Sequence, residues 1–188
     1  MTSPSDSRIV IVTGPPASGK TTLALRLAGD LSLPLIAKDG IKEALLDEFG
    51  AVDRELSERI GRGSWGILWH LFEVEVAAGR SAVFEGNFSA GHGSARLSGL
   101  AQRFDFGLLQ VHCFASVDLL LGRYQQRIRY RHPGHADAER VDDARIVFEP
   151  SRYLLDIPGE LVNVDTSSFD RVEYASIRDA ALNHIQRV

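Results

Sequence analysis

One cysteine in 188 residues excludes an internal disulfide, and Cys113 falls inside the apolar run Leu108-Leu109-Gln110-Val111-His112-Cys113-Phe114, where a buried strand thiol is the ordinary reading. No catalytic role is assigned to it. Long apolar runs are also missing: nothing approaches the length that spans a bilayer, and Met1 to Ser7 is polar, unlike a signal peptide. A cytoplasmic protein without membrane contact is expected. Excess positive charge is absent as well. The formal charge of −4 and pI near 5.9 disfavour broad electrostatic capture of nucleic acid, although a local basic groove stays compatible with them. There is no internal repeat and no linker, and 44% hydrophobic content over this length predicts one compact α/β domain over residues 1–188.

What is present alternates. Ile9-Val10-Ile11-Val12 is a β-branched run closed by Gly14 and followed by a helical pattern with Leu23, Leu27 and Leu31 on one face. Leu35-Ile36-Ala37 precedes helix-like sequence from Ile41 to Phe49, and a longer helix is expected from about Asp53 to Ala78, with Gly79 as its C-cap. Ala82-Val83-Phe84 and Leu108 to Phe114 read as buried strands, and Leu161-Val162-Asn163-Val164 supplies a fifth strand. The alternation predicts a five-stranded parallel sheet flanked by helices on both faces. Trp65, Trp69 and His70 lie in the long helical region, where core packing is the first reading and a wall of an acceptor pocket the second.

Gly14-Pro15-Pro16-Ala17-Ser18-Gly19-Lys20-Thr21 is the strongest signal: a P-loop between an apolar strand and an amphipathic helix. Its glycines let backbone N–H groups face phosphate oxygens at the positive end of the following helix. The expected nucleotide contacts are Gly14, Pro16, Ala17, Ser18, Gly19, Lys20, Thr21 and Thr22, with Lys20 on the β- and γ-phosphates and the Thr21 hydroxyl on Mg²⁺. ATP and Mg²⁺ follow as expected ligands.

The acceptor side carries three further candidates. Lys38-Asp39-Gly40-Ile41-Lys42 puts an acid and a base at a helix start beyond the second strand, where Asp39 is suited to take a hydroxyl proton, or to cap the helix, and Lys42 to hold an anionic group. Glu85 and Asn87, at the end of the third strand, offer a Mg²⁺-associated acid or contacts to the acceptor. Between the fourth and fifth strands, Arg123, Arg127 and Arg131 recur every four residues, so on a helix they share a face and would repel one another unless an anion lies opposite. This is an arginine-rich lid, set at about 116–148. His132 and His135 beside it fall short of a zinc site and are assigned to acceptor contacts or lid packing.

From Ile9 to about Ser167 the chain resembles the AAA_33-type ATP-binding kinases, small enzymes related to the phosphoryl-transfer domain of polynucleotide 5′-kinases. Chloramphenicol phosphotransferase, gluconate kinase and zeta-type toxin kinases are broader relatives. The resemblance implies a fold like that of nucleoside monophosphate kinases. It also implies Asp39 as general base, Arg123 near the adenine, Arg127 and Arg131 nearer the phosphates, and Asn163 to Ser167 bordering the adenine. Where polynucleotide kinases grip the acceptor's phosphate with arginine, this sequence has Lys42, a point charge without the two-pronged geometry. The expected reaction is γ-phosphoryl transfer to a hydroxyl of a small molecule. A polynucleotide or nucleotide kinase and a P-loop regulatory ATPase that phosphorylates nothing are the alternatives.

Overall fold

The computed structural model describes residues 7–50, 53–127 and 144–187. Strand β1 (Arg8–Thr13) leads into α1 (Lys20–Leu31), then β2 (Leu35–Ala37), α2 (Lys38–Phe49), α3 (Arg54–Ala77), β3 (Ala82–Gly86) and α4 (Ala90–Ala101). The second half runs through β4 (Gly107–Phe114), α5 (Val117–Arg127), α6 (Ala144–Phe148), a 3-10 turn (Pro150–Tyr153), β5 (Glu160–Asp165), a second 3-10 turn (Phe169–Arg171) and α7 (Tyr174–Gln186).

The sheet has five strands in the order β2-β3-β1-β4-β5, all parallel, as the alternating pattern predicts. Alternation along the central strand divides the core. Ile9 and Ile11 join Phe84, Leu68 and Phe72 on one side, whereas Val10 and Val12 join Leu27, Val83, Leu109 and Cys113 on the other. Each fully buried side chain of this kind contributes roughly 1.5–3 kcal/mol through burial. The first side is aromatic, with Phe72 4.8 Å from Phe84 and 5.4 Å from Phe106 between ring centroids.

Cys113 is fully buried, and burial pushes its thiol up to about 12, which accords with a packing role. Two polar groups inside β4 are satisfied by long-range partners: Gln110 donates to the Tyr153 carbonyl, and the His112 ring lies between Asn163 Oδ1 and the Pro150 carbonyl. These bonds pin the 3-10 turn at Pro150–Tyr153 against the sheet.

Helix α3 follows the expected boundaries. Asp53 caps it by accepting from the Leu56 N–H at 2.8 Å, and Gly79, with φ +66, lies just past its end. Helix α2 departs from expectation. It begins at Lys38, directly after β2, rather than near Ile41, so Asp39 sits in its first turn and Ala37 holds the cap position. Asp39 is therefore no cap; its charge instead complements the helix dipole.

Candidate active site

The loop from Gly14 to Gly19 follows the carboxyl end of the central strand and closes onto α1. Gly14 (φ +149) has the Cys113 carbonyl where a Cβ would stand, and Gly19 (φ +80) has Phe169 Cε1 2.5 Å from that position. Side chains are thus barred at both points, and the backbone is free to meet a ligand. Ala17 takes a left-handed φ of +61 inside the same loop. No side chain caps α1 and its first turn has no acid, so its leading N–H groups are left for an anion. The Ser18 hydroxyl is buried without a partner. A loop shaped by glycines with unsatisfied donors inside it is suited to phosphate oxygens.

Lys20 is 6% exposed; its ammonium donates to the Pro15 carbonyl at 3.4 Å and lies 3.8 Å from Glu85 Oε1. Glu85 is 2% exposed, and its Oε2 has no partner. Burial pushes the Glu85 carboxyl above its ordinary range; the Lys20 charge opposes this, the Asp39 charge adds to it, and the Thr21 hydroxyl and Arg127 oppose it. Lys20 and Thr21, Asp39 and Arg127, from three separate stretches of sequence, therefore all act on the Glu85 carboxyl. Among the described residues no cluster of three or more His, Cys, Asp or Glu is placed to hold an ion. The donor set at hand for Mg²⁺ is the Thr21 hydroxyl and the half-satisfied Glu85 carboxylate, hard oxygen ligands of the kind that ion takes alongside water and phosphate.

Around this centre the remaining candidates take different places. Asp39 lies at the start of α2 with its carboxylate 3.1 Å from Lys38 Nζ. Asn87 donates to the Gly14 carbonyl at 2.7 Å, tying the end of β3 to the phosphate loop. Lys42 is 8% exposed and donates to Ser57 Oγ at 3.1 Å, inside the packing between α2 and α3. Arg123 lies 4.2 Å over the Phe169 ring and donates to the Ser167 carbonyl, and because Phe169 also covers Gly19, α5, the segment after β5 and the phosphate loop meet there. Arg127 is exposed at the end of described α5, while Arg131, His132 and His135 lie outside the described residues.

A cleft of ≈ 310 Å³ lies beside the loop, between α3 and the segment joining β3 to α4. Trp65 and Trp69 wall it, with Asn87 and Phe88 behind and Arg62, Ser89 and His92 at its polar side. Arg62, Trp65 and Trp69 form one stripe of α3, and His70 stands off it, exposed. The end of β3 lies against the cleft wall and the start of α2: a Cβ on Gly86 would come within 3.1 Å of Trp65 Cη2 and 3.2 Å of Lys38 Cβ. Sequence reasoning did not single out Arg62, Phe88, Ser89, His92 or Phe169. Only the spacing of Arg62 to the tryptophans was there to be noticed.

Strand order, glycine-shaped phosphate loop and the buried Lys20–Glu85 pair define a P-loop nucleoside-triphosphate-binding protein of the kinase type. The chain belongs to the AAA_33 family (AAA domain), whose model matches residues 9–151. It is similar over 96% of its length, and 97% of the other chain, to a protein of Chloroflexus aurantiacus j-10-fl provisionally designated a kinase, with 33% identity and a TM-score of 0.82. A gluconokinase from Sinorhizobium meliloti 1021 (17% identity, 97% and 93% of the two chains, TM-score 0.53) shares the fold. So does Chaetomium thermophilum Kti12, solved with ADP-AlF3 (17% identity, 95% and 100% of the two chains, TM-score 0.61). A cytidylate kinase from Ignicoccus hospitalis is 38% identical over 50 residues, which is 27% of this chain and 29% of that protein. No described helix is long and apolar enough to cross a membrane.

Proposed function

We propose that this chain is an ATP-dependent kinase that transfers the γ-phosphoryl group to a hydroxyl of a small molecule, with Asp39 as general base. The observation that carries the reading is the position of Asp39: close enough to act on the charge of Glu85 beside Lys20, and next to Lys38, which packs by Gly86 at the mouth of the aromatic cleft. A regulatory ATPase has no use for a carboxylate between a nucleotide cradle and a second cleft.

In this scheme the acceptor oxygen attacks the γ-phosphorus, its proton passes to Asp39, and the bond to the β-phosphate oxygen breaks to leave ADP. Lys20 and the lid arginines Arg127 and Arg131 balance charge on the transferred group, and α1 and the loop N–H groups hold the phosphates. Arg123 with Phe169 supports the adenine. Thr21, with Glu85 beside it, would hold Mg²⁺, which would supply charge neutralisation on the phosphates. Asn87 braces the loop, and Lys42, tied to Ser57, keeps α2 seated on α3 and so places Asp39.

The test is ADP release with Mg²⁺-ATP against sugars, phenicols, aminoglycosides, nucleosides and oligonucleotides, comparing wild type with Asp39→Asn. The variant is expected to lose about 10²–10⁴-fold in kcat with ATP affinity unchanged; equal turnover would remove Asp39 as the base. The cytidylate kinase match favours a second reading, a nucleotide kinase whose acceptor is a phosphate oxygen. Phosphorylation of CMP that does not depend on Asp39 would select it.

A further inference from the structure

The cleft beside α3 has a composition that bears on what it can hold. Its walls are Trp65, Trp69 and Phe88, with ring centroids 5.0–6.3 Å apart in stacked and edge-on arrangements. Its polar side carries Arg62 and His92, and no Asp or Glu is among the described residues lining it. Among the described residues neither Arg62 nor His92 has a hydrogen-bond or ion-pair partner, and no described carboxylate compensates the cation at its rim.

Three acceptor chemistries can be compared with that surface. A polyol needs a polar partner for most of its hydroxyls, because each one buried without a partner costs about 1–3 kcal/mol. Apart from Arg62 and His92 at one side, the cleft offers only Ser89 and Asn87, and Asn87 already donates to Gly14. A polycation such as an aminoglycoside would meet Arg62 with no carboxylate to receive its ammonium groups. A planar ring with an anionic substituent matches both features: the ring against the indoles, the anion against Arg62. At ≈ 310 Å³ the cleft lies at the small end of ligand sites.

Building on the kinase reading, we propose that the Trp65–Trp69 cleft is the acceptor site and takes a small ring-bearing anion, with Arg62 holding the anionic group and Trp65 the ring. Aromatic acids bearing a hydroxymethyl group and pyrimidine nucleotides share that chemistry.

The chain has two tryptophans and both line this cleft, so tryptophan fluorescence, excited beyond the tyrosine absorption, reports on it. Titrations with a non-hydrolysable ATP analogue present would use 4-(hydroxymethyl)benzoate, CMP, gluconate and kanamycin at millimolar concentration. Saturable quenching is expected from one of the two ring anions, weakened about tenfold or more in Arg62→Gln, with gluconate and kanamycin silent. Arg62 is exposed, so its replacement leaves folding intact. Silence from both ring anions, saturable binding of gluconate or kanamycin, or equal affinity in the variant would each overturn the assignment. Binding is read without transfer, so the two readings fail separately. A ring anion that binds through Arg62 yet never gains phosphate removes the kinase reading alone, whereas gluconate phosphorylated only with Asp39 intact removes the acceptor assignment alone.

Discussion

The phosphate cradle and the aromatic cleft lie side by side but are built in opposite ways. The cradle comes from one contiguous stretch, Gly14 to Thr21, and works through backbone: two glycines that exclude side chains, an uncapped helix start and one buried lysine. The cleft comes from side chains of α3 and of the segment after β3, and two of its polar residues, Arg62 and His92, are exposed and unpartnered among the described residues. A backbone cradle serves a ligand part that never changes, the triphosphate. A side-chain cleft can be altered by single substitutions without disturbing the loop, which is where a family sharing one nucleotide would vary its acceptors.

The largest effect expected is from Lys20→Ala, which strikes the cradle alone. It should lower kcat/KM by about 10³-fold or more and weaken ATP binding, since an electrostatic partner of the transferred group is lost in a site shielded from water. Steady-state kinetics and calorimetric ATP titration would show it. Ring binding in the cleft, followed by tryptophan fluorescence, should survive. If it vanished too, the two regions would form one unit and the contrast would fail.

A smaller and opposite effect is expected from Gly86→Ala. The added methyl would meet Trp65, which walls the cleft, at 3.1 Å and Lys38, at the start of α2, at 3.2 Å, tighter than ordinary contact, and neither belongs to the phosphate loop. Overpacking of this kind costs about 1–3 kcal/mol, or roughly 2–12 °C in Tm for a chain of this size. The acceptor KM should rise several-fold while the ATP KM stays within about twofold, because nothing in the cradle is touched. An equal rise in both would place Gly86 in the nucleotide's support instead.

The same division accounts for what could be read from sequence. The cradle was legible because its chemistry is local: glycines at this spacing, followed by lysine and a hydroxyl residue between a strand and a helix, suit a phosphate and little else. Helix α3 was legible for similar reasons, with Asp53 to start it and Gly79 to end it. The start of α2 was not, because Asp39-Gly40 carries a turn signal that the direct run from β2 into the helix overrides. Nor was the burial of Glu85, a strand-end acid by pattern, which only the neighbouring strands and Lys20 determine. Arg62 and His92 come to line one cleft only through tertiary packing, which brings α3 beside the start of α4, and Phe169 reaches Gly19 from 150 positions away. No local periodicity encodes such pairings.

Glu85 sits at the seam between the two regions, and its titration gives the smallest of these effects and the finest test of them. Burial raises its folded pKa above the ordinary value of 4.5, so between that value and the raised one the folded protein binds a proton more tightly than the unfolded chain does. Its contribution to stability is therefore fully present below pH 4.5 and is lost as pH rises through the folded pKa. Glu85→Gln cannot titrate, so the Tm of the variant minus that of wild type should grow more positive from pH 5 to pH 8 in the ligand-free protein, whatever its offset. Differential scanning at several pH values measures it. Added Mg²⁺-ATP should shrink the trend, because a cation brought beside the carboxylate favours its charged form. A flat difference across that range would mean that Lys20 already compensates the buried charge completely, leaving the cradle no reason to recruit a metal through Glu85.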